Sequence, residues 1–176
     1  MPFAYYAKLS PARQRIYRDS DAIETLALPA GVAAGMQVAR IREGLERDNR
    51  AAVQRACQDL VDALVTGYRV PKIRLRVLAK RPADDYGELH GLYEPEEGRT
   101  PARVTVWMRT AAKEQVVAFK TFLRTLVHEV GHHLDYELFK LEETFHTAGF
   151  YKRESSLANA LIAQEAELAL PQRRLF

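Results

Sequence analysis

Residues 128–132 read His-Glu-Val-Gly-His, and His133 follows, so three of the chain's five histidines fall within six positions. On a helix, residues four apart stand one turn apart on the same face. The imidazoles of His128 and His132 can therefore reach one ion. Zinc takes such nitrogens readily, and a protein shell of three ligands leaves room for water. Glu129 lies beside that position as a candidate general base, because a carboxylate adjacent to an activated water can accept its proton. These residues point to one zinc per chain and to hydrolysis.

For this chemistry the motif must sit on a helix with its other side anchored. At about 100° per residue, Phe119, Leu123, Leu126, Val130 and Leu134 cluster on one side, and the two histidines look the opposite way. Thr121, Thr125 and Asp135 share the histidine face, where an ordinary solvated face would carry Lys, Gln and Arg. Glu129 and His133 lie on one flank, and His133 is expected to be a half-buried flank residue. Asp135 lies more than a turn beyond the pair, and no glycine follows until Gly149 to bend the chain back. It is expected to support the site or be solvated rather than to ligate.

Around this helix the chain is organised as helices, then strands, then helices, which predicts an α+β domain. Ser10-Pro11 caps a helix over 11–26, and Leu28–Gly31 breaks it. A helical pattern covers 33–66, with Val38, Ile41, Leu45, Val53, Ala56, Leu60 and Leu64 on one side and an interruption that recaps at Asp48-Asn49. Gly67 and Pro71 end it. Period-two alternation predicts strands over 72–80, 87–95 and 103–110. The motif helix is expected over 113–141, a break over 142–150 and a last helix over 153–169. Residues 1–176 read as one domain, with a helical N-terminal part over 1–70 and a catalytic core over 72–157, built on a small sheet of three or more strands.

Composition narrows the alternatives. Forty-seven per cent apolar and 28% charged residues, with a net charge of +3, describe an ordinary globular chain. The arginines are interspersed with acids, so composition does not argue for nucleic acid, although the run 69–81 is basic enough to keep that partner open. The single cysteine, Cys57, excludes an internal disulfide and a paired-cysteine metal knuckle, and its place on an apolar helical stripe makes it a core residue. This placement also disfavours a deformylase-type site, which takes a cysteine ligand from a loop. The most apolar stretch, 26–36, is short and carries a proline and two glycines, so it does not span a bilayer. No basic segment followed by an apolar run opens the chain, which leaves the cytoplasm as the expected location.

With "TLVHEVGHHLD", the edge-strand feature "GLYEP" and the order of its elements, the chain resembles the zincin metallopeptidases. Over roughly 72–157 it is similar to their small members, the minigluzincin and SprT-like types. The segment "HTAGFYKRESSL" resembles the third-ligand segment of SprT-like proteases, which places the third ligand at His146, followed four positions later by the aromatic Phe150. A gluzincin-like ligand set would instead use Glu154 or Glu143. Two features depart from the SprT-like pattern: Thr147 stands where a glycine usually follows the third histidine, and one cysteine cannot build the zinc ribbon of many bacterial members. The resemblance implies peptide or protein substrates bound in extended form along the edge strand at 87–94, where His90 and Tyr93 would line the cleft, with Tyr151 as an oxyanion donor. The competing function is a regulatory or binding module that keeps zinc for structure.

Overall fold

Residues 2–169 are described by the structure, a computed structural model; residue 1 and residues 170–176, the ends of the expected 1–176 domain, lie outside them. After a short 3-10 turn at Ala4–Lys8, α1 spans Pro11–Asp21. The Ser10 hydroxyl accepts from the Arg13 amide, and Pro11 occupies the first turn, where its missing N–H costs nothing. The helix ends five residues before the expected 26. The Ser20 and Ile23 carbonyls instead accept from Arg153 far along the chain.

The expected break at Asp48-Asn49 separates α2 (Gly35–Glu46) from α3 (Arg50–Tyr68). Asp48 takes a positive φ of 51°, and the Asn49 side chain caps α3 by accepting from Ala52. Gly67 is not the terminator it resembles. It lies inside α3, where a Cβ would fall 2.5 Å from Val32 Cγ2 and 2.8 Å from Pro29 Cβ, so it serves close packing of the 28–34 segment. Arg69 takes the left-handed conformation that ends the helix.

Strands β1 (Arg74–Lys80) and β5 (Arg103–Arg109) pair in parallel, with Val77 opposite Val106. The expected strand 87–95 is divided. Ala83–Asp84 (β2) and Gly87–Glu88 (β3) form a small hairpin of their own, and only Gly91–Glu94 (β4) joins the sheet, antiparallel to β5. The order β1-β5-β4 makes β5 central, which is why Thr105 and Trp107 are buried along with Val104, Val106 and Met108. Alternation toward solvent survives only on the edge strand β1.

The two sheet edges differ. Along β1, glutamines one turn apart on α3 satisfy the outward main chain. Gln58 donates to the Ile73 carbonyl and accepts from the Leu75 amide, and Gln54 does the same for Leu75 and Val77. This closes an edge that would otherwise invite another strand. The other edge, β4, borders the motif helix.

That helix, α4, spans Phe119–Glu137 rather than 113–141. Residues 110–117 fold back on the end of β5, with the Thr110 amide donating to Gln115 O and the Val117 amide to Met108 O, so helical pairing starts only at Ala118. At the far end, the Leu141 amide bonds to Asp135 O, and Lys140 turns the chain at φ 56°. Helix α5 spans Ala148–Leu168 and begins five residues earlier than expected, because the Thr147 hydroxyl accepts from the Phe150 amide and caps it. Gly149 is required there, since a Cβ would lie 2.2 Å from Asp21 O.

The main core lies between the sheet and helices α2 to α5, and a small satellite of Ile16, Tyr17 and Phe145 joins α1 to the loop after α4. The architecture is thus mixed α+β. Among the described residues, no helix is long and apolar enough to cross a membrane. Cys57 is buried on α3, and of the basic run 69–81, Arg81 is buried and paired with Glu88.

Candidate metal centre and cleft

Leu123, Leu126, Val130 and Leu134 bury one side of α4 in the main core. His128 and His132 leave the opposite side, toward the loop 138–147. Phe150 supports them from below. Its buried ring stacks on His132 at 4.8 Å and meets His128 edge-on at 5.0 Å. Gly131 lets it approach, because a Cβ there would sit 3.2 Å from Phe150 Cζ. The cap of α5 at Thr147 then holds His146 at the end of the loop, facing the pair.

The three Nε2 atoms form a triangle, with 3.3 Å between His128 and His132, 3.0 Å between His128 and His146, and 3.1 Å between His132 and His146. Hydrogen bonding between the rings cannot account for the His128–His132 side of it. His128 Nδ1 lies 2.8 Å from a Glu154 carboxylate oxygen, which can only accept, so the proton of His128 is on Nδ1. His132 Nδ1 lies 2.7 Å from Thr144 Oγ1, and that hydroxyl donates to Asp135, so His132 also carries its proton on Nδ1. Two Nε2 lone pairs therefore face each other, an arrangement that a cation, or a proton on His146 Nε2, would satisfy. A tetrahedral ion about 2.05 Å from three nitrogens would hold them about 3.3 Å apart, close to the observed spacing. The donor set fits zinc, and His128, His132 and His146 are the residues that could hold it.

Electrostatics favour neutral imidazoles at His132 and His146. Burial, helped by the neighbouring His128 and His146, lowers the pKa of His132 from 6.5 to about 3, and burial likewise lowers His146. Glu129 responds in the opposite sense. Burial raises its carboxyl from 4.5 to about 7, with His128 opposing and Glu154 adding to the rise. Its carboxylate is pressed against β4, where a Cβ at Gly91 would be 2.5 Å from Oε1, and the Tyr93 main-chain amide donates to it.

Of the two alternative third ligands, neither glutamate joins the triangle. Glu154 stands behind His128, and Glu143 forms a two-pronged ion pair with Arg13. Asp135 is fully buried, and it supports the site from behind, bonded to Arg153 at 2.7 Å and to Thr144. Burial raises its carboxyl, and the Arg153 guanidinium opposes that rise. His133, expected to be half-buried, is buried completely. It bridges Pro71 O at 2.8 Å and the Tyr93 hydroxyl at 3.1 Å, so it ties the flank of α4 to β4 and to the segment between α3 and β1.

The triangle lies on the floor of an open cleft of about 700 Å³. His90, Tyr93 and Tyr151 all line it, as do Leu92, Arg124 and Thr125. Tyr93 gives the cleft its ring, stacked 6.3 Å from His132, while its hydroxyl is committed to His133. Tyr151 stacks on His146 at 5.9 Å with 43% of its surface exposed. Sequence reasoning missed Thr144, which orients His132, Arg153, which holds Asp135, and the N-terminal residues beside His146. No short motif marks them, and the one available signal is the position of Thr144 two residues before His146. No family model matches this chain, and no curated protein or solved structure is significantly similar to it.

Proposed function

We propose that the protein is a zinc-dependent peptidase of zincin-like design. The observation that carries this reading is the triangle of Nε2 atoms, two of them held as lone pairs by Glu154 and Thr144, in an open cleft beside a buried glutamate. Bound by His128, His132 and His146, zinc would supply a Lewis acid that polarises a carbonyl and eases ionisation of water. Glu129 takes the proton from water and passes it to the leaving amine. Its carboxyl rests against Gly91 in the cleft that holds the histidine triangle, placed for both steps.

The peptide lies along β4. Glutamine side chains close the opposite sheet edge, so β4 is the edge left for an added strand, and it runs beside Glu129. Burial, with a smaller contribution from Glu154, raises the pKa of Tyr151 above 10.0, which keeps its phenol protonated as a donor to the carbonyl oxygen under attack.

The test compares wild type with Glu129→Gln on a broad peptide mixture, with zinc content measured in both. The expected result is about one zinc per chain in each and hydrolysis by wild type alone, lower by at least about 100-fold in the variant. Equal rates would overturn the mechanism. Zinc binding without any hydrolysis would leave the alternative of a structural zinc module.

A further inference from the structure

The N-terminal segment builds a wall of the cleft that the histidine motif does not announce. Phe3, Ala4, Tyr5 and Lys8, together with His146 and Tyr151, surround a second cavity of about 620 Å³. His146 and Tyr151 line the first cleft as well, so the two spaces adjoin at the third histidine. The segment is held in place. The Phe3 amide donates to the Tyr17 hydroxyl at 3.0 Å, and the Tyr5 hydroxyl donates to the His146 carbonyl at 2.8 Å. Phe3 stacks on Tyr5 at 6.3 Å and meets Tyr151 edge-on at 6.2 Å.

Despite these contacts the three rings remain open, with Phe3 42%, Tyr5 37% and Tyr151 43% exposed. Tyr86, by contrast, stands alone at the tip of the β2–β3 hairpin. A contiguous group of fixed, exposed aromatic rings beside a cleft marks a binding surface. Rigid aromatics bind ligands with little loss of their own conformational freedom.

We propose that this cavity is a side-chain subsite that takes a large apolar or aromatic residue of the peptide, adjacent to the bond held over Glu129. The inference rests on the peptidase reading for the identity of its occupant. The edge-to-face and stacked arrangements already present among Phe3, Tyr5 and Tyr151 can accept a further ring in the same geometries.

The test uses the full chain carrying Glu129→Gln, so that bound peptide is not consumed. It is titrated with acetyl-Ala-Ala-Phe-Ala-Ala-amide and with the all-alanine counterpart, followed by NMR. The phenylalanine peptide should bind at least about tenfold more tightly, as expected for burying part of a ring, with shifts at Phe3, Tyr5 and Tyr151. Phe3→Ala should bring the two affinities within about threefold of each other, and Phe3→Leu should retain part of the preference. Unfolding midpoints of both variants check that the fold is kept. Equal affinities in the parent protein, or a preference that Phe3→Ala leaves intact, would overturn the subsite. Digestion of the same two peptides by wild type separates this result from the peptidase reading. Cleavage without preference for phenylalanine removes the subsite alone, whereas binding at Phe3 with no cleavage of any peptide removes the peptidase reading alone.

Discussion

Thr144→Val should weaken zinc binding by about 10- to 100-fold while leaving the fold nearly as stable as before. The substitution keeps the shape of the side chain and removes one hydroxyl. That hydroxyl accepts from His132 Nδ1 and donates to Asp135, both at 2.7 Å. Without it, the Nδ1 proton loses its acceptor at a buried position, a cost of about 1–3 kcal/mol. The ring escapes that cost by moving the proton to Nε2. The proton then points into the centre of the triangle, where it opposes a cation. The metal-free protein is thus largely spared, and the penalty reappears on metal binding as about 1.4–2.8 kcal/mol, which is the stated range in affinity. Asp135 keeps its Arg153 partner at 2.7 Å, so the chain behind the site does not collapse. The assay is competition for zinc against a chromophoric chelator, with denaturant unfolding of the metal-free protein alongside. Thr144→Ser should bind as wild type does. So should Glu143→Ala, which removes only the exposed pair with Arg13. If Thr144→Val holds zinc within about twofold of wild type, the orienting chain inferred from the His132 partner is refuted.

Other perturbations probe separate links. Gly91→Ala would place a methyl 2.5 Å from Glu129 Oε1, so it should cost at least about tenfold in kcat/KM on any peptide the wild type cleaves, with zinc content unchanged; full activity would show that Glu129 is not fixed by β4. For metal-free protein, the Glu129 pKa of about 7 in the fold lies above its ordinary 4.5, so the proton is held more tightly in the folded state. The stabilising contribution of that proton is complete below pH 4.5 and lost as pH rises through 7, so the stability of Glu129→Gln relative to wild type should grow by ~3 kcal/mol between pH 4.5 and 8. Parallel stability curves for the two proteins would rule this out. Gln58→Ala removes the bonds to Ile73 O and to the Leu75 amide, so it should destabilise the protein by about 1–3 kcal/mol and promote self-association through β1, read by denaturation and sedimentation velocity. Unchanged stability together with an unchanged sedimentation profile would remove the edge-closing role of the glutamines.

Features that depend on near neighbours along the chain could be read from the residues alone. The i, i+4 histidines, the apolar stripe on the far side of their helix, the Ser10 cap, the break at Asp48-Asn49 and the alternation of β1 are all set within a few residues, where helix and strand periods act directly. The three-histidine cluster was anticipated as well, through the resemblance of the segment after the motif helix. Helix ends were less legible. Thr147 caps α5 through the Phe150 amide three residues on, and Thr110 and Val117 fold back on Gln115 and Met108, so these ends are set by short-range hydrogen bonds that apolar periodicity does not register. Gly67, which looked like a helix terminator, is kept small by Pro29 and Val32 across the fold.

The tuning of the site depends on contacts between distant parts of the chain. Arg153 joins Asp135 to Ser20 across 133 residues, and the Tyr5 hydroxyl reaches His146 across 141. Glu154 became the partner of His128 rather than a third ligand, and Gly91 became the surface against which Glu129 rests. Such contacts are set by how helices and sheet pack, and packing brings together residues whose sequence separation leaves no periodic trace. The motif therefore names the candidate side chains, whereas the burial that moves the Glu129 pKa and the aromatic wall beside His146 exist only once the chain has folded.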